Sequence, residues 1–397
     1  MRILQVVPYY APAWGYGGPP RVMFELARYL TSRGHRVTVL TTDAWDRDRR
    51  IPERERMLDG VRVVAFPNIS NRLAWSRKLF LPVGLVKRLK RTASDFDVAH
   101  VSAVRSLLHP GVYNALRAAG VPYVVDAHGA LPKPVGWKRY PAFIYDRLFL
   151  QPFLRDAGAL LAQTGHEAEL YRTYTPAARV QQLNLPIPLA EFEQPVPKGF
   201  LRSRLGLPPG TFLLLFLGRI EQRKGVEFLV EAFAEFRRRD GPGARSCLAI
   251  VGRDSGSLPR VLERIRTLGL DADARYVGPL YGEERLAAYR DADVFVLTPP
   301  YWEETSLAAL EACASGTPCV ITRQAEIPGL EATGAGVIVS YGDRDGLVQV
   351  LSRLAGNPEL RGDMGMRAAQ LVRTRFAVDT VGRRLEGIFG EILGRKG

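Results

Sequence analysis

Two doubly wound α/β domains, each on a parallel sheet and facing the other across a central cleft, are the fold this chain predicts. Three observations carry it. Short apolar strand candidates alternate with helical patterns through the first half. A proline-dense stretch with Pro186, Pro188, Pro195 and Pro197 then breaks the pattern. Beyond it the same alternation resumes. At 397 residues the chain is also long for a single core.

Taken in order, strands are expected at residues 3–7, 37–41, 61–65, 98–101, 123–126 and 159–162, which makes residues 1–185 the first domain. Residues 186–199 read as the linker. Residues 211–217, TFLLLFL, have the unbroken apolar character of a parallel strand buried on both faces. Further strands follow at 247–251, 275–277, 294–297, 318–321 and 336–339, so the second domain covers 200–376. Residues 377–397 form a closing helix. No repeat of solenoid period and no low-complexity tract is present.

The charged and apolar fractions are those of a soluble globular protein. The net charge of +14 is lopsided: residues 1–190 carry 27 Lys and Arg against 14 Asp and Glu, whereas residues 191–397 carry 28 against 27. The first half therefore attracts something anionic. No helix-turn-helix, zinc or RNA-binding motif accompanies the charge, which argues against nucleic acid. An anionic membrane surface is the better partner. Residues 75–91, with Trp75, Arg77, Lys78, Lys87, Arg88, Lys90 and Arg91, read as a short basic amphipathic helix with aromatic flanks. Trp137, Lys138, Arg139, Tyr140, Phe143 and Tyr145 mix aromatics with cations in the same way. The alternative is a helix and a loop packed on the domain, because Val83, Val86 and Leu89 could face the core. Three dispersed cysteines, Cys247, Cys313 and Cys319, imply a reducing compartment. The brief apolar run ending at Pro8 is too short to span a membrane. A cytoplasmic location is expected, with peripheral contact at the inner face of the plasma membrane.

Glu311 is the only charged residue between Glu304 and Arg323, in an apolar helical stretch that Gly316 and Pro318 stop. A lone carboxylate there needs a partner. Eight residues upstream stands Glu303, just before Thr305 and Ser306, either of which can cap the helix. Free amides at that helix start, near Thr305, Ser306 and Leu307, suit a phosphate. At about 1.5 Å per residue, Glu311 lies roughly 7–8 Å along the axis, the reach of a ribose beyond a diphosphate. Glu303 could accept from sugar hydroxyls and Glu311 from ribose hydroxyls. The alternative is that these are ordinary helix-start and outer-face acids. The strand at 211–217 runs into Gly218-Arg219-Ile-Glu-Gln-Arg-Lys224-Gly225, at the strand end where open α/β sheets bind ligands. Arg219 can clamp phosphate oxygens and Lys224 can act as a point charge; a solvated basic turn is the alternative. Gly17 and Gly18 open a helix after the first strand and allow close approach of a phosphate or sugar. The loop is not Gly-x-Gly-x-x-Gly, and no acid ends the second strand, so a dinucleotide is not expected. His128, beside Gly129, ends a strand.

Residues Glu303 through Pro318 resemble the Glu-x7-Glu signature of the retaining glycosyltransferases of family 4, which have the GT-B fold. Gly218 to Gly225 is similar to that family's Gly-Arg-x4-Lys-Gly loop. Gly17-Gly18, Glu25-Leu26-Ala27, Gly34 to Val39, Asp97 to His100, Asp126 to Gly129 and Ala292 to Pro299 match further parts of its pattern, so the resemblance covers nearly the whole chain. Thr305-Ser306 stand where the family often has Phe-Gly.

The resemblance implies a nucleotide diphosphate sugar donor in the second domain and most of the acceptor in the first. The last helix would return to the first domain. It makes His128 the histidine close to the transferred sugar, and it leaves His100 structural. Arg219, Lys224 and the amides near Thr305 to Leu307 would stabilise the departing diphosphate. In another glycosyltransferase fold Asp-x-Asp holds a divalent ion. Here Asp291 and Asp293 precede their strand, on the wrong side of the sheet, so no metal and no cofactor is expected. The function expected is transfer of a hexose, with retention, to a hydroxyl acceptor, lipid-linked, in surface polysaccharide or glycolipid assembly. A soluble sugar acceptor, nucleotide-sugar epimerisation and a non-catalytic nucleotide-binding subunit are the alternatives.

Overall fold

The computed structural model describes residues 1–132, 139–240 and 245–394. The chain divides into two compact units: Met1–Pro186 together with the Val378–Gly394 helix, and Ile187–Ala377.

The first unit is built on eight strands: β1 (Arg2–Val6), β2 (Arg36–Thr42), β3 (Glu55–Leu58), β4 (Val61–Phe66), β5 (Val98–Ser102), β6 (Tyr123–Asp126), β7 (Ala159–Ala162) and β8 (Val180–Gln182). Their order is β3-β4-β2-β1-β5-β6-β7-β8, parallel except for β3 against β4. The sequence reading lacks β3 and β8. Both are short edge strands, ERML and VQQ, without the apolar run that marks a central strand.

One face of this sheet carries Leu4, Val6, Leu40, Val101, Val125 and Leu160 against Leu85, Leu89, Val112 and Leu116 from the helices Leu85–Thr92 and His109–Ala118. The basic segment at 75–91 is thus packed on the domain through part of its length, while Val83 is 59% exposed. Leu85 and Leu89 are fully buried, Phe80 is buried too, and Val86 lies where a Cβ on Gly111 would meet it at 2.7 Å. Lys87, Arg88, Lys90 and Arg91 face outward. The second aromatic and basic segment behaves differently. Trp137 and Lys138 lie outside the described residues, but Tyr140, Phe143, Ile144, Leu148 and Phe149 all expose large apolar side chains, Phe143 by 70%.

Beneath the C-terminal helix, on the opposite face, the neighbours Gln5 and His100 are completely buried. The His100 ring meets Phe389 edge-on at 6.4 Å. A Cβ at Gly382 would lie 2.1 Å from the Tyr29 ring, so only glycine lets this helix seat against the Pro19–Ser32 helix. His35, in the turn after the Pro19–Ser32 helix, pairs with Glu386 of the C-terminal helix at 2.9 Å.

The second unit has six parallel strands: β9 (Phe212–Leu217), β10 (Ser246–Val251), β11 (Ala274–Gly278), β12 (Val294–Leu297), β13 (Cys319–Thr322) and β14 (Gly336–Val339). Their order is β11-β10-β9-β12-β13-β14, with β9 buried at the centre. The proline-dense stretch is not a free linker but part of this unit. Ile187 N–H donates to the Phe376 carbonyl at 2.7 Å, residues Leu189–Glu193 form a helix with Phe192 buried, and Arg290 donates to the Gln194 carbonyl at 2.8 Å. The three cysteines are buried, and the Cys313 and Cys319 sulfurs are 3.3 Å apart. No helix among the described residues is long and apolar enough to cross a membrane.

Burial holds His100 and His109 neutral, with pKa values pushed down to about 3 and about 4. The unfolded chain takes up these protons below its ordinary histidine pKa, while the folded chain does not. Their contribution to stability is therefore complete above the ordinary value and falls as pH drops toward the folded values, by about 1.4 kcal/mol per pH unit per histidine. Denaturant unfolding followed from about pH 7 to about pH 5 should show this loss, and His100→Leu should lower the slope by about 1.4 kcal/mol per pH unit.

Candidate functional site

At the carboxyl end of β9 the chain turns through Gly218–Gly225. Gly225 has φ +68°, and a Cβ there would lie 1.7 Å from the Thr298 carbonyl oxygen. Only glycine permits that contact. Thr298 follows β12, the neighbour of β9, and its hydroxyl donates to the Gly225 carbonyl at 2.9 Å. The two loops are thus fastened together beside Lys224 on one and a few residues before Glu303 on the other. Lys224 Nζ consequently forms an ion pair with the Glu303 carboxylate, both side chains more than four-fifths buried.

Backbone contacts on the far side hold the acidic loop. Glu303 N–H donates to the Gln324 carbonyl at 2.9 Å, and the Thr305 hydroxyl donates to the Glu326 carbonyl at 3.1 Å. Between them Glu304 takes φ +60°, a backbone conformation that costs free energy in a non-glycine residue. Ser306 is the N-cap of the Leu307–Ala314 helix, and its side chain makes no capping bond. The first bond of the helix is Leu310 N–H to the Ser306 carbonyl, so the amides of Leu307, Ala308 and Ala309 have no intrahelical acceptor.

Glu311 is buried, as its sequence context requires, and its carboxylate has partners within the protein. One oxygen pairs with Arg285 and the other accepts from the Tyr289 hydroxyl at 3.0 Å. Arg285 also pairs with Glu191. Sequence reasoning missed Arg285 and Tyr289, although their i, i+4 spacing on the Gly282–Asp291 helix puts them on one face. Arg219 pairs with Glu221 at 2.9 Å, and its side chain is 40% exposed.

Asp291 accepts from the Gly199 and Leu201 amides, each at 2.7 Å, and Asp293 accepts from Arg202 at 2.6 Å and the Leu213 amide at 2.8 Å. Both carboxylates tie the beginning of the unit to its sheet.

In the first unit His128, two residues beyond β6, has φ +49°. Its Nδ1 is 3.1 Å from both Asp126 Oδ1 and Gln163 Nε2, while Nε2 is buried without a partner among the described residues. Burial pushes the Asp126 pKa up and that of His128 down. Two residues that sequence reasoning did not single out hold this turn. Buried Glu167 accepts from the Gly129 amide at 2.8 Å and the Gln163 amide at 2.9 Å. Arg105 pairs with Asp146 at 2.8 Å and donates to the carbonyls of Ala130, Leu131 and Pro132 at 2.7, 2.8 and 3.1 Å.

Gly17 has φ +113° with open space where a side chain would be. Gly18 caps a helix that begins Pro19-Pro20, and prolines carry no N–H. Gly17 N–H is donated to the Trp14 carbonyl, so this helix start offers a ligand fewer donors than its glycines suggest.

Two parallel α/β units, the second with a cationic loop paired to an acid at the start of a helix, define the GT-B class of fold. Residues 16–191 match the family described as Glycosyltransferase Family 4, and residues 211–357 match Glycosyl transferases group 1. The D-inositol 3-phosphate glycosyltransferase of Acidothermus cellulolyticus is 30% identical over 423 residues, covering all of this chain and 90% of the relative. The chain therefore belongs to the family 4-like glycosyltransferases. It spans about half the length of other curated relatives it matches: the protein of the same name from Corynebacterium diphtheriae is 34% identical over 194 residues, 48% of this chain and 45% of that one. Among solved structures, sucrose-phosphate synthase from Thermosynechococcus elongatus gives a TM-score of 0.75 at 18% identity over 99% of both chains. Anabaena HepE in complex with UDP gives 0.73 at 17% identity over 98% of this chain and 100% of that one. At these identities the likeness is one of fold.

Replacing Gly225 tests whether the loop contact positions Lys224. Gly225→Ala should destabilise the protein by more than about 2 kcal/mol in chemical denaturation. Gly210→Ala, with φ +78° and open space around it, should cost about 1 kcal/mol from backbone strain alone. Equal costs would show that the Thr298 contact is not the constraint.

Proposed function

We propose that the protein is a retaining hexosyltransferase that moves a hexose from a nucleotide diphosphate sugar to a hydroxyl of a lipid-linked acceptor, in surface polysaccharide or glycolipid assembly. The observation that carries this reading is the Lys224–Glu303 pair beside the Leu307–Ala314 helix start. A diphosphate arriving there meets a cation, unpaired amides and the positive end of the helix dipole. Lys224 then exchanges Glu303 for phosphate oxygens, and Glu303 is released to accept from the sugar hydroxyls. Arg219 leaves Glu221 to clamp the phosphates. Glu311, held by Arg285 and Tyr289, keeps acceptor capacity for the ribose hydroxyls. Taken by itself, the first unit offers His128 as a hydrogen-bonding group for a hydroxyl ligand, and a turn at Gly17 and Gly18 open to close approach.

The largest charge to develop is on the departing diphosphate, and these donors are preorganised for it without a metal. Attack comes from the face the diphosphate leaves, whose oxygen takes the acceptor proton. The HepE structures with UDP and UDP-glucose make UDP-glucose the first donor to try. Lys224→Ala should lower turnover at least about 100-fold, measured as donor hydrolysis and transfer. Glu311→Gln should weaken nucleotide binding by calorimetry; unchanged affinity would remove the ribose role.

The lipid-linked acceptor is supported by the basic first half and by exposed Phe143, Ile144 and Leu148 beside Arg147. Such a surface suits the cytoplasmic face of an anionic membrane. Wild-type protein should float with phosphatidylglycerol vesicles at low salt, and Phe143→Asp with Ile144→Asp should abolish flotation. A second reading, a soluble phosphorylated polyol acceptor, is favoured by the relatives named D-inositol 3-phosphate glycosyltransferase. Transfer to inositol 3-phosphate without flotation would establish it.

A further inference from the structure

A cavity of about 300 Å³ opens on the second unit behind the Gly218–Gly225 loop. That volume is at the lower end of small-molecule sites. Its walls are the start of the Val226–Asp240 helix, Ser257 and Val261, the loop residues Pro300 and Tyr301, and Tyr341. Tyr301 is 60% exposed and Tyr341 40%, so both rings offer free apolar faces. The Tyr341 ring is steadied by Phe228, with centroids 4.9 Å apart.

The polar lining decides the ligand class. Glu221, Gln222, Glu227 and Ser257 line the cavity, and among the described residues no lysine or arginine does. Phosphates and carboxylates therefore find no cation in its walls. Aromatic rings with two acids could suit a cation. Glu221, however, pairs with Arg219 at 2.9 Å and Glu227 with Arg260 at 3.1 Å, so each acid is already neutralised from outside the cavity. A carboxylate with one such partner still has lone pairs for hydroxyl donors. Flat apolar faces edged by neutralised acceptors match a neutral polyhydroxylated ring, whose C–H face packs on tyrosine while its hydroxyls donate outward.

We propose that this cavity is a saccharide-binding subsite that takes a neutral sugar ring between Tyr301 and Tyr341, with hydroxyls on Glu221 and Glu227. It adjoins the loop carrying Arg219 and Lys224 and has Glu221 in common with Arg219, but its sugar binding does not depend on the donor reading.

Saturation-transfer NMR on the full chain, without nucleotide, tests it with methyl α-glucopyranoside, methyl α-mannopyranoside and maltose as probes and choline as the cationic control. At least one sugar should receive saturation, strongest at ring C–H protons. Tyr341→Ala and Tyr301→Ala should each reduce the signal at least fivefold, and Glu227→Gln should reduce it at least twofold. Tyr301 is mostly exposed, so its variant tests the site even if Tyr341→Ala unfolds. Lys224→Ala should leave sugar binding intact while it removes UDP binding, which separates this subsite from the donor site. No signal from any sugar, a signal that survives Tyr301→Ala, displacement by UDP, or preferential binding of choline would each overturn the proposal.

Discussion

The approach of Gly225 to the Thr298 carbonyl is the constraint on which the rest of the second unit's site depends. Parallel neighbours β9 and β12 deliver their loops to the same end of the sheet, but adjacency alone leaves two loops free to splay apart. A residue without Cβ lets one backbone rest on the other, and the Thr298 hydroxyl closes the contact. Only then do Lys224 and Glu303, 79 residues apart, meet as a largely buried pair. Such a pair holds two opposite charges in a place where water competes poorly.

A shared logic appears in the first unit. Ala103, Arg105 and His128 take left-handed backbone conformations just beyond β5 and β6, as Glu304 does beyond β12. Each such residue is unfavourable by itself and persists because neighbours over-determine it. Around His128 the neighbours are the Glu167 carboxylate on two amides and the Arg105 guanidinium on three carbonyls. The turn is built from side chain to backbone bonds, so its shape is fixed without any ligand.

Most of the fold is legible in the residues. Central strands such as Phe212–Leu217 announce themselves because both of their faces are buried, whereas Glu55–Leu58 and Val180–Gln182 do not, because an edge strand has no such requirement. Glu303, Glu311 and Lys224 were readable as charges that apolar or glycine-rich surroundings do not explain. Arg285, Arg105 and Glu167 were not, since an arginine or glutamate on an ordinary helix or loop gives no local sign that it will be buried against a distant partner. In the segment at 75–91 the amphipathic pattern fits a helix on a domain as well as one on lipid, and the structure shows Leu85 and Leu89 taken up by the domain core.

The Val378–Gly394 helix lies over His100 although the whole of Ile187–Ala377 separates the two in sequence. The first unit is thus closed by a segment that the chain supplies only after it has left that unit and traversed the other. Contacts of such long sequence separation form late relative to local ones, which makes the seating of this helix the slow step in completing the first unit.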